Sequence, residues 1–179
     1  MFLSSLSVSW SSGGNSSGTL YLAEISSAAA FSAGVQSSAT LNRFALFSGL
    51  DANTTHYLRV RAFNRAGSPT PSLTSSSSTL AAAPLAASPS YILGFSSITL
   101  RWTPLPGSPS TATCEGYQAE ASTSADFTGR ILHEVASSSA VSQIALGNLA
   151  YGTTYHLRVG ALNWSGGANY VSLGSTRTL

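Results

Sequence analysis

The stretch Leu50-Asp51-Ala52-Asn53-Thr54-Thr55-His56-Tyr57-Leu58-Arg59-Val60-Arg61-Ala62-Phe63-Asn64 returns at an offset of 99 residues, counted from Leu50 to Leu149. The second copy reads Leu149-Ala150-Tyr151-Gly152-Thr153-Thr154-Tyr155-His156-Leu157-Arg158-Val159-Gly160-Ala161-Leu162-Asn163. Each copy runs on into a turn that carries a glycine, Gly67 or Gly166. Inside the first copy Leu58, Val60 and Ala62 alternate with Arg59, Arg61 and Phe63, the period of two that a strand with one buried face requires. Moving toward the N-terminus, Tyr21, Ala23, Glu24, Ser26 and Phe31 recur as Tyr117, Ala119, Glu120, Ser122 and Phe127. Further out, Leu6, Val8 and Trp10 recur as Ile98, Leu100 and Trp102. The offset grows from 92 (Leu6 to Ile98) to 96 (Tyr21 to Tyr117) to 99, so the second copy holds short insertions, which loops tolerate. Two copies of one β domain therefore account for the 179 residues. Turn residues at 13–15, 67–71, 104–109 and 166–168 interrupt the runs at the spacing of a sandwich, and no apolar stripe at helical spacing persists. The Ser-, Ala- and Pro-rich segment 75–89 marks the joint, giving domains 1–80 and 81–179 with limited relative motion.

These residues resemble the fibronectin type III family. A Trp on the second strand, a Tyr on the third, and a Leu and Thr leading into Tyr-x-Leu-Arg-Val-x-Ala-x-Asn-x-x-Gly are Trp102, Tyr117, Leu149, Thr153, Tyr155, Leu157, Val159, Ala161, Asn163 and Gly166 here. The resemblance implies an all-β chain of two tandem immunoglobulin-like (fibronectin type III) sandwiches. It assigns structural roles to Trp10, Trp102 and Tyr155, the last as the corner tyrosine whose hydroxyl returns to the backbone. In the first copy His56 takes the corner position and Tyr57 falls on the opposite face. That copy also departs in a second way. Trp102 is preceded by room for a first strand at about 86–93, whereas Trp10 has nine residues before it, so the first sandwich is expected to lack its own strand A. A missing edge strand exposes an apolar groove and unpaired backbone groups. Three readings stay open: the chain is cut from a longer array, the domain tolerates a short edge, or another chain donates a strand.

Composition narrows the function. Charged residues make up 8% of the chain, against about 25% in an average globular protein. The polar surface must come instead from 35 Ser and 17 Thr. The net charge of +2 arises from eight scattered Arg with no Lys, which gives no clustered cations for a nucleic acid to displace counterions against. Without a Lys amine there is also no route to intramolecular isopeptide crosslinks. No run of 18 apolar residues spans a membrane, and segment 1–10 lacks the basic and apolar regions of a secretion signal. Cys114 is the only cysteine, an unpaired small side chain near a strand start or an intermolecular bridge.

No catalytic, cofactor or metal site is expected. His133 and Glu134, as sequence neighbours, point to opposite faces of a strand, and no metal-ligand spacing, nucleophile elbow or phosphate loop occurs. Three sequons, at Asn15, Asn53 and Asn163, are candidate glycosylation sites, as are the hydroxyls of 72–79. The outward face of the first copy, with Leu20, Leu22, Tyr57, Arg59 and Phe63, has the aromatic, Arg and aliphatic mix of a protein interface. The outward face of the second copy, with Gln118, Glu120, His156, Arg158 and Leu162, is more polar. Trp164 could stack on a sugar. The expectation is a non-enzymatic structural or adhesive module of a bacterial cell surface, a repeat unit of a filament or array. Its partners would be other copies of itself, neighbouring domains of a longer chain, or glycans. The alternative is a spacer pair of a secreted carbohydrate-active enzyme, or a carbohydrate-binding module.

Overall fold

The computed structural model describes residues 2–70 and 72–179, and it is built of strands. Met1 of segment 1–10 and Pro71 of the 67–71 turn lie outside the described residues. The chain divides into two compact units, Met1–Thr79 and Leu80–Leu179. No helix among the described residues is long and apolar enough to cross a membrane.

The first unit contains β1 (Ser5–Ser9), β2 (Tyr21–Ser26), β3 (Gln36–Thr40), β4 (Phe44–Ser48), β5 (Thr55–Ala62) and β6 (Leu73–Ser78). They form a two-stranded sheet, β1-β4, and a four-stranded sheet, β3-β2-β5-β6, every pairing antiparallel. Because side chains alternate across a pleat, Leu6 of β1, Ala45 and Phe47 of β4, Ala23 and Ile25 of β2, and Leu58 of β5 turn inward and form the core. Val8, Trp10, Leu50 and Val60 pack against that core but stay only partly buried.

The second unit contains β7 (Leu85–Leu93), β8 (Ile98–Thr103), β9 (Gly116–Ser122), β10 (Ile131–Ala136), β11 (Gln143–Leu146), β12 (Thr154–Leu162) and β13 (Ala168–Arg177), with a short 3-10 turn at Ser110–Ala112. Its sheets are β11-β8-β7 and β10-β9-β12-β13. Each strand of the first unit has its counterpart here in the same order; β7 alone has none. The first sandwich thus lacks a strand A among its described residues, and β1 pairs only with β4. The second core is larger, with Ile98, Leu100, Trp102, Tyr117, Leu146, Leu149, Tyr155, Leu157 and Val159 all buried. The β7 register shifts between Ala86 and Tyr91, where Pro89 sits, as expected of a residue that cannot donate to the ladder.

The joint differs from the expected stretch 75–89. Ser75, Ser76, Ser77 and Ser78 belong to β6 and pair with Leu58, Tyr57, His56 and Thr55. β7 already begins at Leu85, so only 79–84 is free of strand. Serine composition reads as a linker, but a backbone ladder needs no particular side chain on an edge strand, and the Thr55 and Ser78 hydroxyls, 2.9 Å apart, add a cross-strand bond.

Candidate functional site

Two features of the first unit concern function: the outer face of its four-stranded sheet and the uncovered edge of β1. The outer face brings together Leu22, Tyr57, Arg59, Arg61 and Glu24, because Leu22 pairs with Arg61, Glu24 with Arg59 and Ser26 with Tyr57. Phe63 continues the same alternation just past β5, its N–H donating to the Leu20 carbonyl at 2.9 Å. Leu20 itself is exposed. The five residues expected on one face therefore stand along one side of the sheet.

Arg59 is engaged within that face. Its Nε and Nη2 donate to the two Glu24 carboxylate oxygens at 2.7 and 2.9 Å, and Arg61 Nη2 donates to the same carboxylate at 3.1 Å. The guanidinium lies 4.0 Å from the centre of the Phe31 ring, cation over π face. Phe31 reaches this place from a turn in which its own φ is +54°, a left-handed conformation uncommon outside glycine. The Arg59 hydrogen bonds hold the Glu24 carboxyl below its ordinary range, against the opposing effect of burial.

The second unit repeats the cluster. Arg158 Nε donates to Glu120 at 2.7 Å, and its guanidinium lies 3.8 Å from the Phe127 ring, where Phe127 has φ +57°. What differs is the second partner. Gly160 stands where Arg61 stands in the first unit, and Tyr170 lies over it, its ring 4.0 Å from Arg158 and its hydroxyl donating to Glu120 at 2.8 Å. A Cβ on Gly160 would come within 2.9 Å of that ring. The Gln118 amide also donates to Glu120, at 2.7 Å. The sequence repeat aligns Glu24 with Glu120 and Phe31 with Phe127 but does not by itself join them to Arg59 and Arg158. The signal was present in the repeat, since all three residues recur in register.

The corner position shows the same kind of divergence. Tyr155 is buried and its hydroxyl accepts the Ala150 N–H at 3.0 Å. His56 is buried in the matching place, and among the described residues its Nε2 has no hydrogen-bond partner. Burial pushes this imidazole below its ordinary range, with the Asp51 backbone pulling the other way.

Of the three sequons, only Asn15 has an exposed side chain, with its amide donating to the Ser12 carbonyl at 2.8 Å. Asn53 is 1% exposed and sits at φ +45°, where the second unit places Gly152 at φ +59°. Asn163 is 2% exposed, and its Oδ1 accepts the N–H groups of Ser165 and Gly167 at 3.0 and 2.7 Å. Asn64, which is not in a sequon, makes the same turn in the first unit, accepting from Ala66 and Ser68. The Asn53 and Asn163 side chains, expected from their sequons to be open to glycans, are thus buried, and Asn163 builds a turn with its own amide oxygen. Cys114 is buried and unpaired, which leaves no sulfur at the surface for the intermolecular bridge. Trp164 is exposed at the tip of the loop after β12, and Trp10 is half-buried against Tyr21, with ring centres 5.6 Å apart.

The uncovered edge of β1 borders a groove of about 200 Å³ whose apolar lining is Val8, Trp10, Leu58, Val60 and Leu73. In the second unit β7 lies along β8, with Tyr91 opposite Leu100 and Leu93 opposite Ile98. Leu100 and Ile98 are the repeat counterparts of Val8 and Leu6, so the groove is the place that a strand A fills.

No protein-family model and no curated protein matches the sequence. Among solved structures, the two-domain fibronectin type III segment of chicken tenascin covers 99% of this chain and 94% of its own length, at 18% identity and a TM-score of 0.47. The FN1–FN3 domains of chicken contactin cover 97% of this chain, at 18% identity and a TM-score of 0.52. The chain spans 62% of that contactin segment. At this identity the likeness is one of fold. Strand order, register and that likeness agree that the chain is a tandem of two fibronectin type III-like β-sandwiches, the first without a strand A among its described residues.

Proposed function

We propose that this chain is a non-catalytic structural or adhesive module of an extracellular surface, and that its first sandwich is completed by a strand from outside the described residues. The observation that carries this reading is the bare edge of β1 above an apolar groove, at the place where the second sandwich has β7. Half-buried Val8 and Trp10 and exposed Leu73 gain burial when that place is filled, at about 25 cal/mol per Å² of apolar surface. An incoming strand also satisfies backbone groups that otherwise face water. A surface dominated by hydroxyls, with few charges, suits a module that is displayed rather than one that binds a charged substrate. The bacterial filament or array expected from the sequence is the finer form of this reading. In it, the outer face with Leu20, Leu22, Tyr57, Arg59 and Phe63 serves as a second contact surface, and Asn15 is the sequon open to a glycan.

The test is a synthetic peptide with the sequence of residues 86–93, titrated into the chain while thermal unfolding is followed. The first sandwich is expected to melt at a higher temperature as peptide is added, with the second unmoved. An unchanged first transition at saturating peptide overturns the strand-completion reading and leaves a self-sufficient spacer.

A further inference from the structure

We propose that the bare edge of β1 pairs with β1 of a second copy of this chain, antiparallel and centred on Ser7, so that two copies share one continuous sheet β4-β1-β1-β4. This rests on the open-edge reading above and names the occupant.

The slot dictates the chemistry of what fills it. In the second unit β7 runs antiparallel to β8 and sets apolar side chains opposite Leu100 and Ile98. The occupant of the first unit must therefore run antiparallel to β1 and set apolar side chains opposite Val8 and Leu6. β1 itself reads Ser5-Leu6-Ser7-Val8-Ser9, a pattern with a centre at Ser7. Turned around and laid beside a second copy, it puts Ser5 opposite Ser9, Leu6 opposite Val8 and Ser7 opposite Ser7. Both apolar slots are then filled at once, on both copies, by the same pairing. A slip of one residue would put serine into the slots and the aliphatics into water, so this register is the favoured one.

Charge and sterics agree. Sheet edges are ordinarily guarded by a charge, a proline or a bulge. Residues 2–14 contain no charged side chain and no proline, and β1 pairs with β4 without a bulge. Two copies meet there with no like charges opposed. In the second unit the counterpart of Ser9 is Arg101, on a strand already covered by β7. Ser7 and Ser9 are exposed on the outer face, so the small side chains that meet across the pairing leave the two backbones free to approach. A pairing of this kind is isologous and closes on two copies. A five-residue ladder covers less than the roughly 800 Å² per partner of a standard interface, so the dimer is weak, with a Kd on the order of 10 µM to 1 mM.

Sedimentation velocity on the intact chain from about 1 µM to about 1 mM reads this directly. The wild-type chain is expected to pass from monomer to dimer across that range. Ser7→Lys alone and Ser7→Glu alone each oppose like charges at the centre and abolish association. An equimolar mixture of the two restores it, which a merely misfolded variant cannot do. Ser7→Cys gives a disulfide-linked dimer under mild oxidation, because directly opposed residues of an antiparallel pair lie at bridging distance, and Cys114 is buried. A wild-type chain that stays monomeric at 1 mM overturns the proposal, as does a dimer indifferent to both charged variants. If the 86–93 peptide stabilises the first sandwich while the wild-type chain stays monomeric, strand completion stands and self-pairing falls. If the chain dimerises through Ser7, adding that peptide is expected to dissociate it.

Discussion

Leu100 and Trp102 are sealed inside the second sandwich, at 0% and 2% exposure, whereas Val8 and Trp10, at the same places in the first, are only half-buried. The same contrast holds between Val159 and Val60, and between Val171, packed on its core, and Leu73, 71% exposed. Leu6, Ile25 and Phe47, which do not line the groove, are nearly as buried as their counterparts. The under-burial at Val8, Trp10, Val60 and Leu73 follows the lining of the groove. With no strand A among the described residues of the first unit, the difference between the sandwiches registers as solvent access along a single groove.

The largest expected effect tests that contrast at its centre. Trp102→Ala empties a closed core and should cost about 3–5 kcal/mol, enough to unfold the second sandwich near room temperature or bring it close to unfolding. Trp10→Ala removes a ring that is half in water and should cost about 2 kcal/mol or less. Two-transition denaturant unfolding of each variant checks this, and equal losses would mean that the first groove is closed in solution.

Next in size is the carboxylate beneath each arginine. Glu24→Gln leaves Arg59 and Arg61, two residues apart on one strand face, with no counter-charge, while Glu120→Gln leaves Arg158 alone beneath Tyr170. A charge-assisted bond contributes about 1.5–3 kcal/mol when buried, and the partly exposed arginines lower that. The expected losses are about 2 kcal/mol in the first sandwich and about 1 in the second. Added salt should recover part of the first loss and little of the second. A loss in the second sandwich as large and as salt-sensitive as in the first would show that Tyr170 does not replace the second arginine.

How much of this the sequence discloses depends on the distance over which each feature is encoded. Strand F (β5 and β12), the Tyr155 corner and the lack of a strand A among the described residues of the first unit are local patterns or counts of residues, and all three are legible along the chain itself. The Glu24, Arg59 and Phe31 cluster is not, because Arg59 lies 35 residues from Glu24 and meets it only through the β2–β5 register. Thr79 and Thr178 are a further case. Each donates its hydroxyl to a carbonyl 28 residues away, at Asp51 and Ala150, and accepts from Thr54 and Thr153. They tie the end of the last strand to the loop before strand F in both units, yet a threonine at the end of a serine-rich run gives no sign of it. The sequons mislead for the opposite reason. Asn163 satisfies a three-residue pattern, but the turn it builds is the one Asn64 builds without that pattern.

The corner supplies a smaller comparison. Tyr155→Phe removes a buried hydrogen bond and should cost the second sandwich about 1 kcal/mol. His56→Tyr removes the buried Nε2 that has no partner among the described residues and should raise the first by up to about 1 kcal/mol. A His56→Tyr variant that destabilises the first sandwich would mean that its loop has settled around the imidazole and no longer has room for a phenol.

The finest test of the difference between the sandwiches is their response to acid, and its sign follows from burial. The His56 imidazole titrates lower in the folded chain than in the unfolded one because burial disfavours its charged form. Its contribution is therefore fully present above the ordinary imidazole range, about pH 6.5, and is lost as pH falls through the folded value. The first melting transition should move down between about pH 7 and the carboxylate range, while the second, with Tyr155 at the same position, has no such group there. Below that range both fall further. Glu24, held down chiefly by Arg59, withdraws its contribution as it protonates, and in the second unit Asp126, held to about 2 by the Ser124 and Thr128 hydroxyls, withdraws its own. In His56→Tyr the two transitions should track each other down to the carboxylate range. If the first still falls alone in that variant, the acid sensitivity belongs to the open edge and not to the corner.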